Sequence, residues 1–227
     1  MRKSTALVVG AILLLGVVAA TIGSRGPAPA PVKLPAAAVD EPLAPHPGSE
    51  SVVLAGGCFW GVQAVFEHVR GVISATDGYA GGDADTARYE TVSTGRTGHA
   101  ESVRVLYDPS RITLGELLRV FFSVAHNPTE WNRQGPDVGT QYRSAIFYAN
   151  ADQLRIARAY ILQLDNAKMF RRPIVTELTP LTPERGFYTA EAYHQDYARL
   201  HPDDLYIRIN DLPKVAALKA EWPQMSR

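Results

Sequence analysis

The spacing of hydrophobic and polar residues changes several times along this chain, and each change predicts a structural element. Short apolar runs rich in β-branched residues predict strands, whereas apolar residues that recur every three to four positions predict amphipathic helices. The predicted strands cover residues 51–55, 72–82, 100–109, 142–150 and 174–182. The predicted helices cover residues 59–70, 112–128, 151–167 and 189–200.

The order of these elements predicts the fold class. Strands and helices alternate, but hairpin-like neighbours also occur, which favours an α+β fold. We predict a two-layer sandwich in which helices pack on a mixed, mostly antiparallel sheet, with the ferredoxin-like arrangement as the simplest candidate. We expect one folded domain over residues 51–211, followed by a C-terminal tail over residues 212–227.

The N-terminal region has a different character. Residues 1–23 carry two positive charges, Arg2 and Lys3, before an apolar run from Ala6 to Ile22, which is typical of a signal peptide or a single membrane anchor. The charges predict that the rest of the chain is exported, to the periplasm or the extracytoplasmic face of the inner membrane. Residues 24–50 are rich in proline and alanine and predict a semi-extended tether.

Charge and cysteine content narrow the function classes. The chain has 23 basic and 23 acidic residues, and no basic run that would indicate nucleic-acid binding. Cys58 is the only cysteine, which excludes a disulfide within the chain and a cysteine-rich zinc site.

Cys58 lies in the sequence GGCFWG (56–61), where a predicted strand turns into a helix. The N–H groups and dipole of a helix N-terminus favour an anion, so we expect a lowered thiol pKa and a nucleophilic thiolate. The two glycines let other groups approach closely, and Phe59 and Trp60 can form an apolar wall. The alternative is that Cys58 is a small buried residue that packs behind the strand.

Glu101 and His99 form a second candidate cluster, within residues 87–102. Glu101 opens a strand with apolar neighbours, so burial would raise its pKa and suit it to act as a general acid. The alternative is an exposed glutamate at a strand edge. His99 is either a base for Cys58 or a solvent-exposed loop residue.

A long polar stretch over residues 126–144 is the third candidate. Loops of this length in compact domains are often functional. Asp137, Gln141 and Tyr142 would supply hydrogen bonds to a small polar ligand, although the stretch also fits a solvated connector.

Five motifs in register carry a resemblance to a known family. They are GGCFWG, GYAGG (78–82), TGHAE (97–101), NRQGPDVGTQYRS (132–144) and FYTAEAYHQDY (187–197). Their order resembles that of type A peptide methionine sulfoxide reductases, from Ser51 to Tyr197. The resemblance implies an oxidoreductase that repairs proteins after oxidative stress by reducing the S epimer of methionine sulfoxide, with residues 51–211 as its catalytic domain.

The resemblance also implies a role for each site residue. Cys58 corresponds to the nucleophile and would become a sulfenic acid, and Glu101 corresponds to the acid that protonates the sulfoxide oxygen. The implied substrate-binding residues are Phe59 and Trp60 around the methyl group, Tyr89 and Tyr142 at the oxygen, and Asp137, which orders the site.

This chain departs from the family pattern in its cysteines. Many relatives carry a resolving cysteine, but the C-terminal tail has none, and Ser93 stands where some relatives have one. The resemblance implies that no metal or organic cofactor is needed. Because a resolving cysteine is missing, we expect an external thiol as the reductant, either a small thiol, a glutaredoxin-like protein or, preferably, an exported thioredoxin-like protein. We expect a monomer that acts on oxidised proteins and free methionine sulfoxide.

Two charge losses are further departures, Gln63 where relatives often have glutamate and Asn127 where aspartate is common.

Two rival functions stay open. One is a cysteine hydrolase that uses Cys58, His99 and Glu101, and the other is a tethered redox sensor or binding module without catalysis.

Overall fold

The structure is a computed structural model that describes residues 32–227. The predicted signal peptide or anchor at residues 1–23 and the first part of the predicted tether lie outside the described residues. Within residues 32–227, no helix is long and apolar enough to cross a membrane.

A six-stranded sheet forms the centre of the fold, with two further short strands beside it. Its strands, in chain order, are β1 (Glu50–Gly56), β2 (Val72–Ala80), β3 (Ala100–Tyr107), β6 (Ser144–Tyr148), β7 (Glu177–Pro180) and β8 (Phe187–Thr189). The short strands β4 (Arg133–Gln134) and β5 (Asp137–Val138) pair with each other. The spatial order of the large sheet is β7-β6-β1-β3-β2-β8.

The helices fill the connections between these strands. They are α1 (Phe59–Glu67), α2 (Tyr89–Val92), α3 (Leu114–Val120), α4 (Ala151–Asn166), α5 (Tyr197–Leu200) and α6 (Leu212–Glu221). The predicted N-cap of α3 is correct, because the Thr113 side chain accepts a hydrogen bond from Glu116 N–H in a capping box. Two π-helical segments, Phe121–Ala125 and Ile207–Asp211, continue α3 and precede α6.

The topology confirms the predicted fold class. Within residues 32–227, all neighbouring strands of the large sheet pair antiparallel except β6 and β7, which pair in parallel. α1 connects β1 to β2, and α3 lies between β3 and β6, which is the ferredoxin-like βαββαβ arrangement.

The core lies mainly between the sheet and the helices. Alternate residues of the central strands, such as Leu54 and Val103, pack with Val65 and Phe66 of α1 in one large buried cluster. On the opposite face of the sheet, a smaller cluster contains alanines and Phe147. The first face is therefore the one that holds α1 and the residue before it, Cys58.

Part of the predicted tether packs on the domain. Residues 32–49 have no regular secondary structure, but Leu34 is only 1% exposed. Arg119 donates a hydrogen bond to the Leu34 carbonyl over 2.8 Å, and the Tyr160 hydroxyl donates to the Pro35 carbonyl over 2.8 Å. The high proline content is consistent with the lack of regular structure in this segment. The segment still packs on the domain, because an apolar side chain and backbone carbonyls contact residues of the helices.

The fold also continues past the predicted boundary at residue 211. Trp222 is 1% exposed, and its indole N–H donates to the Ser123 hydroxyl over 2.9 Å. Ser226 forms a β-bridge with Val69, just after α1. The predicted C-terminal tail is thus an integral layer behind α1.

Candidate active site

The turn before α1 places Cys58 at the N-cap of that helix, as predicted. Gly57 has a φ of +93°, and a Cβ at this position would lie 2.6 Å from Cβ of Gln134. A Cβ on Gly56 would lie 2.8 Å from the His126 ring. The two glycines are therefore required by the protein's own packing as well as by the tight turn.

The thiol of Cys58 differs from the prediction in its ionisation. Burial raises the pKa of Cys58 well above its ordinary value, and the charges of Glu101 and Asp211 raise it further. The backbone N–H of Trp60 and the ammonium of Lys214 act in the opposite direction but do not reverse the shift. The expected lowering of the pKa by the helix N-terminus was wrong, because desolvation outweighs one backbone donor.

Glu101 lies beside the same helix turn. Its Oε2 accepts a hydrogen bond from the Phe59 N–H over 3.2 Å, and the residue is 3% exposed. Burial raises the pKa of Glu101 to about 8, against the lowering effect of that hydrogen bond, and Asp137 and Asp211 add to the rise. The predicted burial and upward shift are both correct, so Glu101 carries a proton at neutral pH.

An aromatic cluster borders Cys58. The Phe59 ring lies 4.9 Å from the His194 ring and 5.9 Å from the Tyr79 ring, between centroids. Trp60 stacks on Tyr197 at 3.9 Å and 12°, and its indole N–H donates to His194 Nδ1 over 3.2 Å. Phe59 and Trp60 therefore form a fixed apolar surface.

The side chains of Tyr142 and Tyr89 lie close enough to Glu101 and Cys58 to be affected by the charges of these residues. Burial raises the pKa of Tyr142, and the charges of Glu101, Asp137 and Cys58 raise it further, so its phenol remains a hydrogen-bond donor. The pKa of Tyr89 is raised by burial and by the charges of Glu101, Cys58 and Asp137. The structure thus brings Tyr89, Asp137 and Tyr142 into the electrostatic environment of Cys58 and Glu101.

Comparisons with known proteins identify the family of this chain. A family model described as peptide methionine sulfoxide reductase matches residues 50–226. The chain belongs to this family. A peptide methionine sulfoxide reductase, MsrA 2, from Mesorhizobium japonicum is 60% identical over 82% of this chain and 93% of its own length. Another, from Synechocystis, is 48% identical over 77% of this chain and 80% of its own length.

Solved structures of the family agree in fold. Methionine sulfoxide reductase A of Corynebacterium diphtheriae is 37% identical, with a TM-score of 0.58, and the match covers 71% of this chain and 85% of that one. The reduced form of Mxr1 from Saccharomyces cerevisiae is 33% identical, with a TM-score of 0.59, and the match covers 73% of this chain and 91% of that one.

Two residues of the candidate site, Tyr206 and Glu191, were not identified from the sequence. The Tyr206 hydroxyl donates to Oδ2 of Asp137 over 2.5 Å. Glu191 accepts from the Tyr89 N–H over 2.9 Å and from the Tyr79 hydroxyl over 2.8 Å, and so holds Tyr89 in place. Glu191 lies in the quoted motif FYTAEAYHQDY, which was the available signal, but nothing in the sequence connected Tyr206 to Asp137.

The contacts of His99 and Gln141 differ from the roles that the sequence suggested for them. His99 is 1% exposed; Nδ1 accepts from the Gly82 N–H, and Nε2 lies 3.0 Å from the Asp83 carbonyl. Gln141 donates to the Ser93 carbonyl over 3.1 Å. Both side chains hold loops together, and neither the base role for His99 nor the ligand role for Gln141 is supported by these contacts.

The departures from the family pattern have structural roles. Gln63 is 2% exposed; it donates to the Ala75 carbonyl over 3.1 Å and accepts from the Asp196 N–H over 2.9 Å. Oδ1 of Asn127 accepts from the N–H and hydroxyl of Thr129, which shapes the loop that leads to Gln134.

Among residues 32–227, no three potential metal ligands are grouped closely enough to hold an ion.

Proposed function

We propose that this protein is a peptide-methionine (S)-S-oxide reductase that returns the S epimer of methionine sulfoxide, free or in proteins, to methionine. The observation that carries the proposal is Glu101, a buried acid with a pKa of about 8 that is hydrogen-bonded to the helix turn that follows Cys58. Removal of oxygen from a sulfoxide needs a sulfur nucleophile and a proton donor at one place. The resulting activity would repair oxidised proteins.

The chemistry follows from these two groups. Sγ of Cys58 attacks the sulfoxide sulfur while Glu101 donates a proton to the oxygen, which turns a poor leaving group into a better one. The substrate's sulfur–oxygen bond breaks, the oxygen with its proton is transferred in net terms to Cys58, and the proton lost by the Cys58 thiol restores Glu101. The substrate gains two electrons and becomes methionine, and Cys58 loses two electrons and becomes a sulfenic acid.

Selection of one epimer follows from the separation of apolar and polar groups. Phe59 and Trp60 would contact the S-methyl group, whereas the hydroxyls of Tyr89 and Tyr142 would donate to the sulfoxide oxygen. Because the sulfur is a stereocentre, only one epimer presents its methyl group and its oxygen to these two surfaces together. Asp137, bonded to Tyr206, would hold the polar surface in place.

The sulfenic acid requires an external thiol, since Cys58 is the only cysteine. A thiol attacks the sulfenic sulfur and releases water, and a second thiol then reduces the mixed disulfide and restores Cys58. We assign this role to a thioredoxin-like protein, with a glutaredoxin-like protein or a small thiol as the alternatives. No metal or organic cofactor takes part, and the enzyme acts as a monomer.

Export is part of the proposal. Arg2 and Lys3 before the apolar run from Ala6 to Ile22 support an N-terminal signal peptide or membrane anchor, with the domain on the periplasmic side. Glutathione is not a general reductant in such a compartment, which supports the choice of a thioredoxin-like donor.

The rival functions are less well supported. A hydrolase would need a base for Cys58, but both ring nitrogens of His99 are occupied by backbone groups. A sensor or binding module would have no use for a buried, protonated acid beside a thiol.

A single-turnover experiment tests the proposal. The reduced protein is mixed with each epimer of a methionine sulfoxide peptide without added thiol, and methionine and dimedone-labelled Cys58 are measured. We expect one methionine per protein from the S epimer only, and none from Cys58→Ser. A folded protein with a free thiol that produces no methionine from either epimer would refute the proposal.

A further inference from the structure

A buried ion pair lies behind α1, outside the five sequence motifs. Nζ of Lys214 donates to Oδ1 of Asp211 over 3.1 Å. The Asp211 side chain is 0% exposed and that of Lys214 is 18% exposed. A buried ion pair loses much of its hydration and is weak evidence for stabilisation of a fold. Its position is therefore more informative than its strength.

Asp211 does not serve as a helix cap, although it is the N-cap residue of α6. Its φ and ψ of −110° and −46° are helical, and its side chain accepts no capping hydrogen bond. A capping aspartate would accept a backbone N–H of the first turn, which here includes Pro213, a residue without an N–H. Oδ2 of Asp211 is buried and has no hydrogen-bond partner within the described part of the chain.

The ion pair instead faces the first turn of α1. A Cβ built on Gly61 would lie 2.1 Å from Oδ1 of Asp211 and 2.6 Å from Nζ of Lys214. Gly61 follows Cys58 by three positions, and residues three apart share one face of a helix. Both charges therefore lie against the side of α1 that also carries Cys58, and the absence of a side chain at position 61 makes room for them.

The backbone that carries Asp211 supports a functional role. Asp211 is the last residue of the π-helix Ile207–Asp211, and π-helical turns are frequent at functional sites. Tyr206, which directly precedes this segment, donates a hydrogen bond to Asp137. The irregular segment and the residue before it thus connect the ion pair with Asp137.

The two charges act on Cys58 in opposite directions. After burial and Glu101, Asp211 raises the pKa of Cys58, whereas Lys214 lowers it. The other titratable groups that interact with Cys58 or the ion pair include Asp77, Glu101, Asp137, Asp204, His126, Tyr89, Tyr142 and Tyr206.

We infer that the Asp211–Lys214 pair is a positioning element for the proposed reduction, whose two opposite charges occupy the space that Gly61 leaves open and balance each other beside Cys58. The inference rests on the proposed function. It assigns the last segment of the chain a direct part in the reactivity of Cys58.

Alkylation of Cys58 by iodoacetamide across a range of pH tests this inference, because the single cysteine makes the mass shift specific. Asp211→Asn removes the negative charge and is expected to raise the alkylation rate about tenfold at mildly alkaline pH, the equivalent of about one pKa unit. Lys214→Gln is expected to lower the rate, and the double variant to return close to the wild-type rate. Lys219→Gln, exposed on the same helix, and Lys214→Arg are controls that should not change it.

Coincident alkylation profiles for wild type, Asp211→Asn and Lys214→Gln, in proteins with unchanged circular dichroism, would overturn the inference. Shifts in the same direction for both single variants would also overturn it, because they would indicate loosened packing rather than charge. If Asp211→Asn does not fold, the alkylation rates of Lys214→Gln and Lys219→Gln are compared instead. A lower rate for Lys214→Gln supports the inference, and equal rates overturn it. Alkylation needs no substrate, so failure of the proposed function appears separately, as a wild-type protein that yields no methionine.

Discussion

Replacement of Glu101 by glutamine removes the acidic proton of this side chain but keeps its shape. Glutamine has nearly the same size, and its carbonyl oxygen can still accept the hydrogen bond from the Phe59 N–H. It cannot ionise and cannot protonate a sulfoxide. We therefore expect Glu101→Gln to fold, to become increasingly stable relative to the wild type as the pH rises, and to lose reduction.

The size of the stability change follows from the pKa of Glu101, which burial raises from 4.5 to about 8. A carboxyl whose pKa is higher in the folded state stabilises the protein at low pH, and that stability is lost as the pH rises from about 4.5 to about 8. Relative to a side chain that does not titrate, the wild type loses about 1 kcal/mol at about pH 5, about 3 kcal/mol at about pH 7 and about 5 kcal/mol above about pH 8.

Urea unfolding of wild type and Glu101→Gln between about pH 5 and pH 9 measures this difference. Glu90→Gln, at an exposed glutamate, is the matched control and should show no such trend. Single-turnover reduction by wild type should decline as the pH rises through about 8, and Glu101→Gln should be slower by a factor of about 10²–10⁴. A stability difference that is independent of pH, or a variant that reduces at the wild-type rate, would refute the reasoning.

Further predictions concern the packing and ionisation around the site. Gly57→Ala should destabilise the fold by several kcal/mol more in urea than Gly135→Ala, since both glycines have positive φ but only Gly57 is crowded. Trp222→Ala should cost about 3–5 kcal/mol in urea unfolding, whereas Trp131→Ala, at a 63% exposed residue, should cost less than about 0.5 kcal/mol. Burial lowers the pKa of His126 from 6.5 to about 3, so acid titration should remove about 4 kcal/mol of stability as the pH falls to about 3, and His126→Gln should lack this loss.

The regular elements were predictable because their patterns are local. β1, α1, β3 and α4 follow the expected spacing of apolar residues closely. Five of the named elements escaped prediction because their signals are weak or not local: α2, β4, β5 and β8 are two to four residues long, and α6 follows a polar stretch. The buried contact of Trp222 with Ser123 depends on residues 99 positions apart, which no periodicity reveals.

For the candidate site too, features that depend on neighbouring residues were predictable, and features that depend on residues distant in sequence were not. The sequence indicated Cys58 at a helix start and Glu101 as a buried acid, because each depends on its immediate neighbours. The direction of the pKa shift of Cys58 was not predictable, since it depends on burial and on the carboxylates of Glu101 and Asp211, which are distant in sequence. His99 was ambiguous for a similar reason, because its partners lie in the loop that contains Gly82 and Asp83.

Docking of the segment before β1 bears on the proposed export. Leu34 and Pro35 are held by Arg119 and Tyr160, and Asp40 accepts from the Gly115 N–H over 3.0 Å. The chain that connects the apolar run to the domain therefore ends near residue 33 rather than at residue 50. If the apolar run stays in the membrane, residues 23–33 span at most about 40 Å when fully extended. An anchored form would then be confined to substrates close to the membrane surface, whereas a cleaved form would reach oxidised proteins throughout the compartment.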